Sequence, residues 1–254
     1  MRLGREGQLA LLPDWISEKL DVHLWETNRL LAQAQRELPP GARLLDAGSG
    51  EGQYRHTFDH LRYVGLDLAV GDQTWDYTGL DAQGDLSRLP FAADSFDAAV
   101  CFQVLEHVNE PARVISEIGR VLRPGGRLYL SAPMAWHQHQ KPYDFFRYTS
   151  YGFTYLVEKA GMRVVEMRPW GGYFWFLSFN FQMMHDRLFP RGDNDLAYLL
   201  KLPLILPVYF VFFLLLPLLL FYLDRLDKVK DHTLGWAFIA EKLPADEHPA
   251  TPAG

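Results

Sequence analysis

Residues 44–54 read LLDAGSGEGQY, and this stretch decides the fold of the chain. An apolar run ending in Asp46 is followed by glycines at positions 48, 50 and 52, which predicts a strand, a tight turn and the start of a helix at a ligand. Glycine allows such a turn because it has no side chain to obstruct the backbone or the ligand. The dinucleotide pattern G-x-G-x-x-G would need a glycine where this chain has Gln53, so the pattern here is D-x-G-x-G-x-G.

Acidic residues end the next two predicted strands. Asp67 closes an apolar strand over residues 63–67, and Asp85 with Leu86 marks a short third strand or turn. In an open parallel sheet, ligands bind at the carboxyl ends of the strands. A carboxylate at Asp67 can therefore accept hydrogen bonds from ribose hydroxyls, and one at Asp85 from an adenine amino group. Each acid alone is typical of a cap or turn, but all of them in register predict an adenosine site.

Strand and helix patterns alternate along the chain, which favours an α/β fold with a parallel sheet and helices on both faces. Helices are predicted over residues 15–37, 54–61, 109–122 and 149–160, and further strands over residues 43–46, 96–104, 127–132, 162–167 and 234–241.

Two later segments extend the resemblance to a known family. Together with the glycine turn, SFDAAVCFQVLEHV (95–108) and LRPGGRL (122–128) resemble the motifs of class I S-adenosylmethionine-dependent methyltransferases of the type 11 kind. The resemblance covers roughly residues 40–165 and 234–242. It implies a Rossmann-like, seven-stranded, mostly parallel sheet whose final hairpin is antiparallel, and an enzyme that uses S-adenosylmethionine.

The resemblance also implies a cofactor site. Asp46 and the backbone at Gly48 and Gly50 would hold the methionine portion, Asp67 the ribose, Asp85 and Leu86 the adenine, and Gln103 the region near the sulfonium. Gly52 and Leu68 complete the predicted cofactor-binding set.

The catalytic residue is less clearly marked, because methyl transfer needs a general base only when the acceptor must lose a proton. The candidates are His107, His137, Tyr143 and Arg147. His107 is interpreted first as a structural or cofactor-shell residue. The stretch WHQHQKPYDFFRYT (136–149) follows the fifth strand, where substrate loops emerge. Two interpretations stay open: Asp144 pairs with Arg147 and Thr149 caps the next helix, or His137, Tyr143 and Arg147 line an acceptor pocket.

Composition limits the partners. A net charge of −6 argues against a general nucleic-acid binder. The single cysteine, Cys101, lies in an apolar run and is predicted to be a buried strand residue. His137 and His139 have no acid or cysteine spaced to complete a metal site, so no metal is predicted. The first residues lack a secretory signal pattern, so a cytosolic catalytic domain is expected.

Residues 202–223 carry no charge. A helix of that length, at about 1.5 Å per residue, matches the thickness of a bilayer core. A single crossing would leave the last strand on the wrong side of the membrane, and Pro203, Pro207 and Pro217 interrupt the run. We therefore predict a broken or re-entrant pair of short helices that attaches the protein to the cytoplasmic face of a membrane as a monotopic anchor, through residues 196–223. A buried homodimer interface is the alternative.

The predicted organisation is a helical lead-in (1–40), a methyltransferase core (41–169), an apolar insertion (170–231), a last core strand (232–242) and a disordered tail (243–254). The function hypothesis is methyl transfer to a small-molecule or lipid-linked acceptor at a membrane. The alternatives are a soluble dimeric methyltransferase for a small molecule and a non-catalytic membrane-bound protein that retains the fold.

Overall fold

The structure is a computed structural model that describes residues 12–71, 74–188, 203 and 205–247. The described residues fall into two compact units, one within Met1–Glu26 and Pro169–Leu234, the other within Thr27–Arg168 and Gly235–Gly254. The predicted lead-in of residues 1–40 is thus divided between the units. Most of the predicted tail and residues 196–202 lie outside the described residues.

The unit that begins at Thr27 is built on a seven-stranded sheet, as predicted. In chain order the strands are β1 (Arg43–Ala47), β2 (Arg62–Asp67), β3 (Ala82–Gln83), β4 (Phe96–Phe102), β5 (Leu122–Pro133), β6 (Met162–Pro169) and β7 (Gly235–Lys242). Their order across the sheet is β3-β2-β1-β4-β5-β7-β6.

The register of the sheet brings the predicted ligand-binding ends together. Strand β1 pairs in parallel with β2 and β4, with Asp46 opposite Gly65 on one side and Val100 on the other. Their carboxyl ends therefore lie at one edge of the sheet. Strand β7 runs antiparallel to β5, which confirms the antiparallel final strand.

The central strands are buried on both faces, which explains why they read as continuous apolar runs. Ala98 to Phe102 of β4 are all buried, and Cys101 is among them, as predicted. Two helices, Pro111–Val121 and Ser150–Lys159, contribute apolar side chains to the same core.

Two predicted elements in this unit were wrong in detail. The helix after the glycine turn is only a 3₁₀ turn, Arg55–Phe58, because glycine-rich backbone at positive φ precedes it and Leu61 already leads into β2. The fifth strand begins at Leu122 rather than after the Pro-Gly-Gly turn, since Leu122 pairs with Phe96 before the register shifts.

The predicted helix over residues 15–37 consists of two helices, α1 (Asp14–Leu20) and α2 (Val22–Glu37). Asp21 has an extended backbone, and its carboxylate accepts a hydrogen bond from the Leu24 amide at 3.1 Å. Asp21 therefore ends the first helix and caps the second.

With Pro111–Val121 counted as α3 and Ser150–Lys159 as α4, the apolar insertion contains helix α5 (Tyr173–Leu188) and helix α6 (Ile205–Leu226). The prediction of two short broken helices was wrong, because α6 is continuous. Its segment Phe210–Leu215 is π-helical, and Pro217 follows at the start of the next α-helical segment. The change of hydrogen-bonding pattern accommodates a residue that has no N–H to donate. By length and composition, α6 could cross a membrane.

Candidate active site

The glycine turn after β1 has the backbone that the sequence predicts. Gly48, Gly50 and Gly52 have φ values of 86°, 53° and 76°. A Cβ at Gly48 would lie 2.5 Å from Cγ2 of Val104, whereas a Cβ at Gly52 would meet nothing within 4 Å. Both space and conformation therefore require glycine at 48, and conformation alone favours it at 52.

The end of β2 holds this turn in place. The Gly48 amide donates to the Leu66 carbonyl at 2.8 Å, and the Gly50 amide donates to Oδ2 of Asp67 at 2.9 Å. The other oxygen of Asp67 accepts from the Ala69 amide at 2.8 Å, and Leu68 between them is largely exposed. Each carboxylate oxygen can accept a further hydrogen bond, so the predicted ribose contact of Asp67 is compatible with its role in the turn.

Asp46 lies buried under the turn. Its carboxylate accepts a hydrogen bond from the Tyr63 hydroxyl at 2.6 Å. Burial raises the pKa of Asp46 to about 7, with the Tyr63 hydrogen bond acting in the opposite direction and the negative charge of Asp67 adding to the rise. Its charge therefore changes near neutral pH.

Asp85 follows β3 and caps a 3₁₀ turn. Its Oδ1 accepts from the Ser87 amide at 2.8 Å, and Leu86 in that turn is buried. Asp85 therefore caps this turn, which is the role typical of a single acidic residue after a strand. The adenine contact of Asp85 and Leu86 stays a prediction.

Gln103 follows β4 with a left-handed backbone, at φ 57°. Its amide donates to the Ser131 carbonyl at 3.0 Å, while its side-chain Nε2 is buried without a hydrogen-bond partner among the described residues. The Ser49 hydroxyl in the glycine turn is also buried without a hydrogen-bond partner among the described residues. Buried polar groups are normally paired, so the unpaired Gln103 amide is compatible with a polar ligand at the end of β4, and its contact with the cofactor stays a prediction.

The loop after β2 adds a neighbour that the sequence did not indicate. The Trp75 ring lies 3.5 Å from the position of a Cβ at Gly50, and the Asp76 amide donates to Oε1 of Glu51 at 2.8 Å. This loop therefore packs on the glycine turn. Its residues follow neither a helical nor a strand period, so sequence patterns gave no signal for it.

The loop between β5 and the helix Ser150–Lys159 is held by Arg147. Its guanidinium donates to both oxygens of Asp144, at 2.6 and 2.9 Å, and to the His137 carbonyl at 2.9 Å. The Arg147 hydrogen bonds lower the pKa of Asp144 to about 2. Thr149 accepts from the Gly152 amide at 3.1 Å and caps the helix. The predicted pairing and cap are confirmed, and the predicted acceptor pocket stays a prediction.

The structure places His107 in a cluster that sequence spacing did not reveal. Its Nδ1 lies 2.5 Å from the Tyr143 carbonyl oxygen, and burial lowers its pKa. Its ring centroid is 4.7 Å from that of His139. Glu106 beside it is fully buried, which raises its pKa to about 8. His137 instead stacks on Trp136 and is exposed.

The fold and these groups define a class of protein. A glycine turn at the end of β1, acids after β2 and β3, and a reversal of strand order between β1 and β4 are the features of a Rossmann-like protein that binds a nucleoside-containing cofactor.

Comparison with known proteins identifies the family within that class. A family model described as a methyltransferase domain matches residues 45–130. A demethylmenaquinone methyltransferase of Renibacterium salmoninarum is 34% identical over 145 residues, which cover 50% of this chain and 59% of that protein. A ubiquinone biosynthesis O-methyltransferase of Xanthomonas axonopodis pv. citri is 34% identical over 125 residues, covering 43% and 51%. The chain thus spans less than two thirds of the length of either relative.

Solved structures show the same fold. Phosphoethanolamine N-methyltransferase 2 of Haemonchus contortus, in complex with S-adenosyl-L-methionine, superposes with a TM-score of 0.51 at 19% identity, covering 85% of this chain and 53% of that one. At this identity the likeness concerns the fold alone. The family model and the curated relatives show that residues 45–130 form a methyltransferase domain of the class I S-adenosylmethionine-dependent family, whose cofactor is S-adenosylmethionine.

Proposed function

We propose that this protein methylates an apolar acceptor dissolved in or bound to a membrane, and that a prenylated aromatic compound of the quinone type is that acceptor. The exposed apolar face of α6 carries the proposal. Two relatives support the acceptor class, since one is named a demethylmenaquinone methyltransferase and the other a ubiquinone biosynthesis O-methyltransferase.

The exposed side chains of α6 lie along one face. Large apolar residues are at least 49% exposed at positions spaced by three to five residues: Leu206, Phe210, Leu215, Leu219, Tyr222 and Leu226. The five-residue step falls on the π-helical segment Phe210–Leu215, where hydrogen bonds link residues five apart. A continuous apolar face of this kind is typical of a membrane or protein contact.

The opposite face of α6 packs against α5. Phe212 lies 5.6 Å from Phe181 between ring centroids, and Phe221 lies 5.1 Å from Trp175. Near the end of α6, Asp224 accepts hydrogen bonds from the amides of Gly172 and Trp175, each at 3.0 Å. The two helices therefore run antiparallel, as a hairpin.

The two ends of the insertion also meet. The Thr233 hydroxyl donates to the Trp170 carbonyl at 2.9 Å. A segment that enters and leaves at one end returns the chain to the side from which it came. This supports monotopic attachment through the exposed face of α6 rather than a single crossing.

The chemistry follows from the cofactor. When bound, S-adenosylmethionine supplies a methyl group whose bond to the positively charged sulfur breaks as the acceptor attacks from the opposite side. The chain aligns the reaction: the Gly48–Gly52 turn admits the cofactor against the backbone, and the Asp46 carboxyl under the turn can ionise near neutral pH and supply negative charge. Gln103 offers a buried amide at the end of β4. Alignment and exclusion of water account for much of the rate in such a reaction.

Labelled-methyl transfer tests the proposal. Purified protein is incubated with S-adenosylmethionine labelled in its methyl group and a membrane extract, and labelled products are separated by polarity. Label in an apolar, ultraviolet-absorbing lipid is the expected result, and a Gly48→Ala variant with a blocked turn provides the background.

Label found only in water-soluble compounds would overturn the acceptor class and favour a soluble enzyme. Retention of the protein by carbonate-washed membranes is expected in parallel. Release into the soluble fraction, together with a concentration-dependent dimer, would instead assign the α6 face to a dimer interface. A protein that binds no S-adenosylmethionine would favour the non-catalytic alternative.

A further inference from the structure

The carboxyl group of Glu106 has no role in the predicted cofactor site. Glu106 lies in the 3₁₀ turn Leu105–His107 that follows β4, and its side chain is fully buried. Neither of its carboxylate oxygens has a hydrogen-bond partner among the described residues. A buried carboxyl group without a hydrogen-bond partner is costly in either protonation state, so another group is expected to satisfy it.

Two histidine nitrogens face this carboxylate. Nε2 of His107 lies 3.8 Å from Oε1 of Glu106, and Nε2 of His139 lies 3.9 Å from the same oxygen. One ligand atom from each of the three residues lies within 4.8 Å of the others. His139 belongs to the loop after β5, so two separate loops converge on one point.

The other nitrogens of both rings already face backbone oxygens. Nδ1 of His107 is 2.5 Å from the Tyr143 carbonyl, and Nδ1 of His139 is 3.2 Å from the His137 carbonyl. The Asp144 carboxylate also lies 3.7 Å from Nδ1 of His139. Acceptors at Nδ1 favour a proton there, which leaves the lone pair of each Nε2 directed at Glu106. Metal-binding histidines are commonly oriented by this arrangement.

We propose that Glu106, His107 and His139 bind a divalent transition-metal ion of the zinc type, through one carboxylate oxygen and the two Nε2 atoms. Two imidazoles and a carboxylate are a ligand set suited to zinc, with a fourth position left open. Ligand atoms around a tetrahedral ion with bonds of about 2.0–2.1 Å lie roughly 3.3–3.5 Å apart. The observed separations of 3.8 and 3.9 Å from Oε1 of Glu106, with all three ligand atoms within 4.8 Å of one another, are longer than this, so the side chains would rotate inward on binding the ion.

A direct hydrogen bond from a protonated Glu106 to a histidine is the competing explanation. The separations of 3.8 and 3.9 Å exceed hydrogen-bond length, so neither histidine satisfies the carboxyl group. An ion at the centre would compensate the carboxylate and use both lone pairs.

The open fourth coordination position of the ion would take part in catalysis, an inference that rests on the proposed function. A metal held between the loops after β4 and β5 would bind an acceptor hydroxyl and favour loss of its proton, which is the step that otherwise needs a general base. Metal binding itself is tested without acceptor or cofactor, so failure of the acceptor proposal leaves the metal result intact.

The test uses the full chain, stripped with a chelator and titrated with Co²⁺ as a spectroscopic probe and then with Zn²⁺. We expect one equivalent of metal per chain by elemental analysis, and visible Co²⁺ bands that Zn²⁺ displaces. His107→Ala and His139→Ala should each weaken binding at least tenfold. Glu106→Gln, which keeps the buried volume, should do the same, with the fold checked by circular dichroism.

His56→Ala is the matched control, since the His56 side chain is 94% exposed and lies outside the cluster. It should bind metal as the unaltered protein does. Substoichiometric metal in the unaltered protein, or undiminished binding by both His107→Ala and His139→Ala, would overturn the site.

Discussion

Tyr63 donates a hydrogen bond to the buried carboxyl group of Asp46, with 2.6 Å between the two oxygens. The pair links β1 to β2 directly below the glycine turn. Because burial raises the pKa of Asp46 to about 7, this carboxyl stays protonated in the folded protein over a pH range where it ionises in the unfolded chain.

This difference predicts a pH-dependent stability. The folded pKa is above the unfolded value, so the contribution of Asp46 is complete at pH below the unfolded pKa and is lost as the pH rises to the folded one. Between pH 5 and 7, the free energy of unfolding should fall relative to that of Asp46→Asn by roughly 2–3 kcal/mol, and the difference should become constant at about pH 8. Urea unfolding of both proteins, followed by circular dichroism at each pH, measures this difference in unfolding free energy. Parallel pH curves for the two proteins would contradict the assignment.

The glycine turn predicts a contrast between two similar substitutions. Gly48→Ala places a Cβ 2.5 Å from Val104, so it should displace the loop after β4 and weaken S-adenosylmethionine binding at least tenfold. Gly52→Ala meets no atom within 4 Å and carries only the cost of positive φ, about 1 kcal/mol of stability.

Calorimetric titration with S-adenosylmethionine compares the two variants of the turn. Gly52→Ala imposes the same kind of backbone strain within the turn but without the collision. Gly125→Ala, at φ 76° with no atom within 4 Å of its Cβ, is the control outside the predicted cofactor-binding set. Equal affinities in both variants would show that the space at Gly48 is not what the cofactor needs.

Two substitutions in the loop after β5 should separate its effect on thermal stability from its effect on acceptor turnover. Arg147 binds Asp144 and the His137 carbonyl, so Arg147→Ala should lower the melting temperature and acceptor turnover together. The Tyr143 side chain is 46% exposed, so Tyr143→Ala should lower acceptor turnover with little change in melting temperature. Thermal unfolding and labelled-methyl transfer are measured on the same samples. Unchanged turnover in Tyr143→Ala would remove its side chain from the acceptor pocket.

The sequence predicted the sheet well because its signals are local. Buried parallel strands such as β4 read as apolar runs, and the acids at 67 and 85 follow strands at the same edge. The break at Asp21 was missed because apolar spacing continues through it, although its carboxylate caps the second helix. Continuous α6 was missed because Pro217 suggests a break, whereas the π-helical segment before it absorbs the missing hydrogen bond.

The cluster at Glu106 shows why part of the site could not be predicted. His107 and His139 come from loops after different strands, and no sequence spacing reports that the loops converge. In the sequence, His139 lies two residues from His137 and thirty-two residues from His107. In the structure, the His139 ring centroid is nearer to that of His107, at 4.7 Å, than to that of His137, at 6.1 Å. Only the tertiary contact identifies the group.

The exposed face of α6 predicts where membrane binding can be abolished. Leu215 and Leu219 are 55% and 53% exposed, so Leu215→Glu and Leu219→Glu should leave the packing against α5 intact. Each charge would have to enter the apolar part of the bilayer, which costs about 2–3 kcal/mol and predicts at least a tenfold loss of binding to lipid vesicles. Vesicle sedimentation measures the bound fraction. Tyr155→Glu, on a residue 58% exposed in the helix Ser150–Lys159, is the control and should bind as the unaltered protein does. If the α6 variants sediment normally but dissociate a dimer in ultracentrifugation, the face is a subunit interface and the membrane proposal is wrong.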